Sequence, residues 1–395
     1  MNTKLSFPFV RKCPYSLPQE YRDLRESQEL VRSRLRHGGE VTVLTRYDDV
    51  QKALSGADFS NNRQHPNYPS PIPIPESFKT NGSMLGMDPP EHTRVRGMIR
   101  KEFTAQRIAE RAEIIRDIVN HQVDTLLDSP SRSADLVQQL SIPVTLSIIG
   151  ALLAIPADDL PHLHQATRSM FDGATSPEDR RTAIEFLDDY FVDFVQRRFD
   201  RPHDDLMGRV ITANRDYPAV ELVHMTRLIL NGGHDSTASM LSLGTLVLLD
   251  EPDLFRRLGE DGELTNATVE ELLRFLCVTD LTTPRVAVRD VSFRHGVVTS
   301  NGGVYPSTAA ANRDPEVFPD PDVFNPGRSN AARHLTFGYG RHLCLGAEMA
   351  RLEMREVFAT LSRRIPRLEL AVPRETLQYL DGGLIFKVSE LPVKW

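Results

Sequence analysis

The chain has 395 residues, of which 40% are hydrophobic and 26% are charged, with 23 glycines and 27 prolines. This is the composition of a globular protein with a sizeable core, and it excludes collagen-like and wholly disordered chains. Lysine and arginine number 47 against 54 aspartate and glutamate, a net charge of −7. Because the sequence has no basic excess, no nucleic-acid partner is predicted.

The first part of the chain carries no sign of export. Residues 1–15 contain neither a continuous apolar run nor a small-residue cleavage site, so no signal peptide is predicted.

Residues 40–44 alternate like a strand and residues 46–54 have helical spacing, which predicts a small β region. Residues 61–90 are rich in proline and have little periodicity. A loop of this length is typical of a lid or binding loop, although a plain connector would show the same pattern.

Helical spacing dominates the middle of the chain. Apolar residues recur three and four apart in residues 108–127, 137–153, 183–199 and 222–249. The last of these stretches is the most apolar, but polar and charged residues interrupt it, so it is too polar for an ordinary membrane span. We therefore predict a cytoplasmic protein without membrane contact.

After residue 273 the spacing of apolar residues becomes shorter. Residues 285–293 and 297–304 resemble strand pieces, 312–328 coil, 347–361 a helix, and 377–388 a hairpin around Asp381-Gly382-Gly383. No glycine-rich phosphate loop follows a strand, which disfavours a dinucleotide-binding fold. The pattern predicts a mainly α protein with small β regions in one domain, 1–395. Its β-rich parts are expected at about 38–60, 285–305 and 377–392, and its helical body at about 91–274 and 347–361.

The cysteines point to chemistry rather than to cross-links. Cys13, Cys277 and Cys344 are odd in number and far apart, which disfavours a disulfide framework and indicates a reducing compartment. Cys344 lies in Phe337-Gly338-Tyr339-Gly340-Arg341-His342-Leu343-Cys344-Leu345-Gly346, directly before an apolar helical pattern. The glycines allow tight turns and the close approach of a flat ligand.

A cysteine at a helix N-terminus receives N–H groups and the positive end of the helix dipole, which lower its pKa and favour the metal-binding thiolate. A buried structural cysteine is the simpler alternative. A zinc site using His342 and Cys344 is a third, but no second pair of ligands accompanies them.

The whole ten-residue pattern resembles the haem-binding loop of the cytochrome P450 family. The resemblance implies the cytochrome P450 fold, a triangular helical prism around a buried haem. It also implies haem b (iron protoporphyrin IX) as the cofactor and Cys344 as the axial ligand of its iron. The cofactor-binding residues of the loop that it implies are Phe337, Gly338, His342, Cys344 and Gly346.

Further segments resemble the same family in the same order. Glu271 and Arg274 are three apart and share a helix face; in the family such a pair joins a downstream arginine, here Arg328, to brace the cysteine loop. Taken alone the spacing is uninformative, since Glu91 and Arg94 share it. Residues 310–321 match a connecting coil of the family and support the fold.

Four basic residues match positions that hold the haem propionates in the family. His92 and Arg96 are four apart and would meet on one face of a helix. Arg285 and His342 match two further positions. Carboxylates buried beside a macrocycle need such cations, because an unpaired buried charge is costly.

Residues 228–237 place two glycines, an acid and two hydroxyls inside the long apolar helix. Each interior glycine costs about 1 kcal/mol relative to alanine, so we expect a kink, which either packing or a ligand site would explain. The segment resembles the family's oxygen-binding groove, with Gly233 and Asp235 at its small-residue and acid positions. Ser236 stands where threonine is usual and is followed by Thr237.

The resemblance implies a haem-thiolate monooxygenase that activates O₂ with two externally supplied electrons. In this interpretation the thiolate favours O–O cleavage, and Asp235, Ser236 and Thr237 relay protons. The product would be a hydroxylated or epoxidised small, largely apolar molecule of natural-product biosynthesis. The alternative is oxidative C–C coupling or cyclisation without oxygen insertion, which Ser236 makes less remote. A second alternative, a non-catalytic haem or metabolite binder, is disfavoured by the Asp235-Ser236 pair.

Electrons must come from outside, because the chain carries no flavin or nicotinamide module. We expect a ferredoxin or similar donor with its NAD(P)H-dependent reductase. The basic residues available for docking, unless they are merely solvated, are Arg94, Arg96, Arg100, Lys101, Arg107, Arg333 and Arg341. The residues matching the substrate-lining regions of the family are Gly232, Thr282, Thr283 and Leu384. A monomer is predicted.

Overall fold

The computed structural model describes residues 5–36, 38–70, 83–171, 175–201, 203–280, 283–381 and 384–395. Its α-helices are α1 (Gln19–Glu26), α2 (Tyr47–Ser55), α3 (Glu91–Ile99), α4 (Ala105–Ala109), α5 (Ala112–Leu127), α6 (Ile142–Leu153), α7 (Leu160–Phe171), α8 (Pro177–Asp200), α9 (Leu206–Ala213), α10 (Ala219–Gly233), α11 (Asp235–Leu248), α12 (Pro252–Arg257), α13 (Gly262–Leu276), α14 (Thr308–Ala311) and α15 (Ala347–Arg364).

The strands are short. They are β1 (Ser6–Phe7), β2 (Arg32–Leu35), β3 (Glu40–Leu44), β4 (Phe59–Ser60), β5 (Ser133–Asp135), β6 (Arg285–Ala287), β7 (Val291–Phe293), β8 (Gly296–Val298), β9 (Gly303–Pro306), β10 (Glu369–Leu370), β11 (Tyr379–Leu380), β12 (Lys387–Val388) and β13 (Pro392–Lys394). The prediction of a mainly α fold with small β regions is confirmed.

The largest sheet has the strand order β1-β2-β3-β9-β6-β4. β3 and β9 run parallel, with Thr42 opposite Val304, and β9 pairs antiparallel with β6, with Arg285 opposite Val304. The sheet therefore fixes Arg285 at the start of a strand that is paired on both sides. α2 packs on this sheet, and Leu44, Val50 and their neighbours form a separate small core there.

The main core lies among the helices. Leu241 of α11, Leu272 of α13 and Phe358 of α15 are each fully buried and belong to one apolar cluster. Because α13 and α15 both pack against α11, this core sets the positions of the Glu271 side chain and of the loop that precedes α15. Among the described residues, no helix combines the length and apolarity needed to cross a membrane.

Two local features differ from a simple reading of the periodicity. The helical pattern of residues 137–153 begins as a π-helical turn, Val137–Ser141, and becomes α-helical just before Pro143. Proline lacks the N–H that an α-helical bond would need there. In addition, β5 pairs with β13, with Ala134 opposite Val393. A strand of three residues is too short to show a recognisable alternation of apolar and polar side chains in the sequence.

Candidate active site

The cysteine loop folds as two tight turns in front of α15. Gly338 and Gly340 have φ angles of +75° and +73°, a conformation that strains residues with a Cβ. The backbone N–H of Cys344 donates to the carbonyl oxygen of Phe337 at 2.8 Å, which closes the loop. Gly346 is the N-cap of α15. The glycines thus shape the loop, and Cys344 lies just outside a helix N-terminus.

Cys344 retains an accessible face, whereas Cys277 is buried. Desolvation by the surrounding protein raises the pKa of the Cys344 thiol, and the Gly346 backbone, Arg96 and Arg351 act in the opposite direction. The backbone at the helix N-terminus thus lowers this pKa as expected, but in the polypeptide alone desolvation outweighs it and the net shift is upward. Metal coordination reverses the balance, since a coordinating thiol is deprotonated outright.

A buried ion-pair network joins α13 to the coil before the loop. Glu271 and Arg274 are both fully buried, and two hydrogen bonds of 2.8 Å connect them. The Nε of Arg328 lies 3.2 Å from Oε2 of Glu271. Arg274 also donates to three main-chain oxygens of the coil, those of Asn312, Pro321 and Val323. The structure therefore brings Glu271, Arg274 and Arg328 together.

The four basic residues singled out in the sequence line one wall beside the loop. The rings of His92 and His342 are 4.0 Å apart between centroids. Arg96 donates to the carbonyl oxygen of Leu343 at 2.5 Å. Arg285 is 5% exposed, and its guanidinium donates to main-chain oxygens at 2.9 and 3.1 Å.

These bases disfavour one another's charged forms. Burial, followed by the charges of Arg285, His92, Arg341 and Arg96, lowers the pKa of His342 to about 2. Burial, then Arg96 and Arg341, lowers the pKa of His92. Burial is also the main cause that lowers the pKa of Arg285 to about 10. Around these four residues positive charge therefore exceeds negative charge.

This wall fits a haem. The Nε2 atoms of His92 and His342 are buried and, in the part of the chain that the structure describes, have no hydrogen-bond partner. Two propionates would offer acceptors to these bases and would offset their positive field. The donor set therefore fits iron protoporphyrin IX, with Cys344 available to its iron. Arg341, which the sequence reasoning did not assign to the cofactor, adds to the same field.

The long apolar helix is interrupted at His234, between α10 and α11. A Cβ at Gly233 would lie 2.8 Å from Cδ1 of Ile149, whereas a Cβ at Gly232 would meet nothing within 4 Å. Gly233 therefore lets α10 approach α6 closely, and Gly232 leaves space beside the helix. Packing therefore explains Gly233, and a ligand site beside Gly232 stays a prediction.

The polar residues at this interruption have different partners. The Ser236 hydroxyl donates to the carbonyl oxygen of Gly232 at 3.2 Å, and Thr237 is buried. The Asp235 carboxylate pairs with the ammonium of Lys387 at 3.2 Å. Sequence reasoning missed Lys387, because it lies on β12, far along the chain, and no local pattern marks it.

The residues predicted to line the substrate pocket are scattered. The Thr283 hydroxyl donates to the carbonyl oxygen of Pro306 at 2.7 Å, so it is tied to the end of β9. Leu384 lines a small cavity together with Phe9 and Cys277. Gly232 lies at the end of α10. Thr282 lies outside the described residues.

Comparison with known proteins is consistent with this site. The model of the Cytochrome P450 family matches residues 174–376. Vitamin D3 dihydroxylase of Streptomyces griseolus is 35% identical over 99% of this chain and 97% of its own length.

Solved structures agree. Cytochrome P450 MoxA of Nonomuraea recticatena is 37% identical with a TM-score of 0.91, covering 99% of this chain and 98% of that one. The mycinamicin VIII C21 methyl hydroxylase MycCI of Micromonospora griseorubida, solved with mycinamicin VIII bound, is 29% identical with a TM-score of 0.92, covering 99% of this chain and 100% of that one.

The chain belongs to the cytochrome P450 family. Its fold is the cytochrome P450 fold, its cofactor is haem, and it is a monooxygenase of the kind found in bacterial secondary metabolism. Bacterial members of the family bind small molecules and take electrons from ferredoxin and reductase partners. The predicted family, fold, enzyme class and cofactor are thereby confirmed.

Proposed function

We propose that Cys344 ligates the haem iron and that His92, Arg96, Arg285 and His342 bind the propionates, so that this chain inserts one oxygen atom of O₂ into a small, largely apolar natural product. The observation that supports the assignment is that the cysteine loop lies beside four basic residues that disfavour one another's charged forms. Two of them are histidines whose Nε2 atoms have no hydrogen-bond partner among the described residues. Phe337, Gly338 and Gly346 shape the loop around the sulfur.

When bound, the haem supplies reductive O₂ activation, which the thiolate favours by donating electron density. The chain's own residues manage protons and position. Ser236 holds its hydroxyl on the Gly232 carbonyl at the helix interruption, with Asp235 adjacent in sequence and Thr237 next along α11. We assign to these three the relay of protons into the pocket where O₂ would be activated, a role that needs a placed acid and hydroxyls rather than a nucleophile.

The substrate is proposed to lie beside Gly232, where the helix leaves space, and Thr282, Thr283 and Leu384 are proposed as further lining residues on the family resemblance alone. Vitamin D3 and mycinamicin VIII are suitable first probes, since two relatives are named for such molecules. Binding is read from the change in the ferric haem spectrum, and products are then analysed after turnover under ¹⁸O₂. A product that gains one ¹⁸O atom supports monooxygenation, and a product that only loses two hydrogens supports the alternative of oxidative coupling or cyclisation.

The serine at position 236 is the observation that favours the alternative of oxidative coupling or cyclisation. Serine lacks the methyl group that restricts χ1 of threonine, so its hydroxyl is held less firmly at a position where proton delivery decides between oxygen insertion and other outcomes. Replacing Ser236 with threonine tests the point. We expect S236T to raise the yield of oxygenated product per electron pair, and an unchanged yield would show that the missing methyl has no consequence.

We further propose that ferredoxin docks on the cysteine side. Arg100 and Lys101, which follow α3, are exposed, and Tyr339 and Leu343 of the cysteine loop are 42% and 43% exposed. An apolar centre flanked by cations suits an acidic partner. The double variant Arg100→Glu, Lys101→Glu is expected to raise the Michaelis constant for ferredoxin at low salt, whereas Arg181→Glu on α8 is not. Equal effects of the two changes would reject this face.

The monomeric state and the cytoplasmic location stay proposals. The three free cysteines support a reducing compartment.

A further inference from the structure

Asp235 is held by a residue from a distant part of the chain. The Nζ of Lys387 lies 3.2 and 3.4 Å from the two carboxylate oxygens of Asp235. The two side chains are only 30% and 20% exposed. A pair that is partly shielded from water interacts more strongly than an exposed pair. The contact therefore gives the carboxylate of Asp235 a defined, partly shielded partner.

The backbone that carries Lys387 is held in place by contacts on both sides. β12 pairs with β11, with Lys387 opposite Leu380. The residue before it, Phe386, donates its N–H to the carbonyl oxygen of Val278 at 2.9 Å and packs under the Arg11 guanidinium, 4.4 Å from the ring centroid. The backbone of Lys387 is thus anchored on both sides. Its ammonium group can shift only within the reach of its own side chain.

The two histidines beside the pair are not competing cations at neutral pH, whereas Arg168, one turn after His164 on α7, is a cation on the exposed side of that helix. The ring of His164, on α7, lies 5.4 Å from the ring of His234. Burial lowers the pKa of His164 to about 4 and also lowers the pKa of the buried His234. Both rings are therefore neutral at pH 7, which leaves Lys387 as the ion-pair partner given by the structure for Asp235 among the described residues.

We propose that Lys387 is a positioning residue for proton delivery, which holds Asp235 at the helix interruption beside Ser236. The inference rests on the proposed function of Asp235. It adds that the paired strands β11 and β12 belong to the proton-delivery apparatus, because they carry Lys387.

A substrate-free reaction measures proton delivery directly. In the presence of a plant-type ferredoxin and its NADPH-dependent reductase, O₂ is reduced either by two electrons and two protons to H₂O₂, or by four electrons and four protons to two molecules of water. Efficient proton delivery would favour the four-electron route to water, which requires O–O cleavage. The fraction of consumed O₂ recovered as peroxide therefore rises when delivery is impaired, with no substrate needed.

The experiment compares the purified, haem-loaded protein with four variants. Lys387→Met should raise the peroxide fraction at least halfway to that of Asp235→Asn. Lys387→Arg, which keeps a cation, should recover most of the wild-type value. Lys394→Met is the matched control, because Lys394 forms an ion pair with Glu369 in which both side chains are more than half exposed. It should leave the peroxide fraction unchanged.

A second measurement tests the pairing without turnover. Thermal unfolding midpoints are recorded for Lys387→Met, Asp235→Asn and the double variant. If the two groups interact, the loss in the double variant is smaller than the sum of the two single losses. Strictly additive losses would overturn the inference, as would a wild-type peroxide fraction in Lys387→Met.

The roles of Asp235 and Lys387 are distinguished by these variants. If Asp235→Asn itself leaves the peroxide fraction unchanged, the proposed role of Asp235 in proton delivery is wrong. If Asp235→Asn raises the fraction but Lys387→Met does not, the role of Asp235 stands and the positioning by Lys387 is wrong.

Discussion

The imidazole rings of His92 and His342 lie 4.0 Å apart between their centroids and are tilted by 37°. One ring comes from α3 and the other from the cysteine loop, so the contact joins two segments that are far apart in the sequence. Because the pKa of each ring is lowered, both are neutral at pH 7 and can lie together. A neutral imidazole still carries one N–H that it can donate to a carboxylate.

We expect His92→Ala to weaken haem retention. A hydrogen bond to a charged acceptor contributes about 1.5 to 3 kcal/mol, so haem loss should become at least about tenfold faster. Transfer of haem to excess apomyoglobin measures this rate. Arg94→Ala is the control, because Arg94 lies on the same helix but is 47% exposed and pairs with Glu221. Similar rates for the two variants would contradict the role of His92.

The ion pair of Glu271 and Arg274 should dominate stability near the loop. Breaking a fully buried pair costs about 3 to 5 kcal/mol, since the remaining charge is left without compensation. Glu271→Gln should therefore lower the yield of folded, haem-containing protein strongly. Glu91 and Arg94 have the same spacing but are 57% and 47% exposed and 3.8 Å apart, and Glu91→Gln should cost less than about 1 kcal/mol. Equal losses in the two variants, measured by denaturant unfolding, would refute this.

Gly340 should not tolerate a side chain. Its φ is +73°, and a Cβ would lie 2.9 Å from Cα of Ser55 and 3.1 Å from the carbonyl oxygen of Leu54. We expect Gly340→Ala to destabilise the protein by about 2 to 4 kcal/mol through backbone strain and overpacking. At Gly346 a Cβ would meet nothing within 4 Å, so Gly346→Ala should cost much less. The two midpoints of denaturant unfolding decide the comparison.

His164 should make stability depend on pH. Burial lowers its pKa from 6.5 to about 4, so between these values the unfolded chain holds a proton that the folded chain does not. Stability that is present above pH 6.5 is therefore lost as the pH falls, by about 1 kcal/mol per pH unit for this group. Unfolding free energies at pH 7.5 and 5.0 should differ less in His164→Gln than in the wild type. His121→Gln, at an exposed position, should change nothing; equal pH slopes in all three would contradict the prediction.

The grouping of Glu271 with Arg274 and Arg328 could be predicted, because its place before the cysteine loop distinguishes this pair from several similar ones. Cys344 could be chosen among three cysteines because glycines surround it in sequence, and the structure gives two of them, Gly338 and Gly340, positive φ angles. The helical periods also predicted where most long helices run, since their apolar faces pack on one core.

Other contacts of the candidate site could not be predicted from the sequence. The pairing of Asp235 with Lys387 joins residues whose neighbours carry no shared pattern, and only the folded chain shows it. Burial of the thiol, which raises the pKa of Cys344, depends on the folded chain and could not be predicted from the sequence around it. Thr283, expected near substrate, has its hydroxyl bonded to the Pro306 carbonyl, a contact that depends on strand register.

The most direct test of Cys344 as the iron ligand is the absorption spectrum of the reduced protein under carbon monoxide. Thiolate ligation predicts a strongly red-shifted Soret band, which Cys344→Ala should abolish while Cys13→Ala and Cys277→Ala keep it. A folded protein that takes up no haemin, or a band at the position typical of nitrogen ligation, would contradict the assignment.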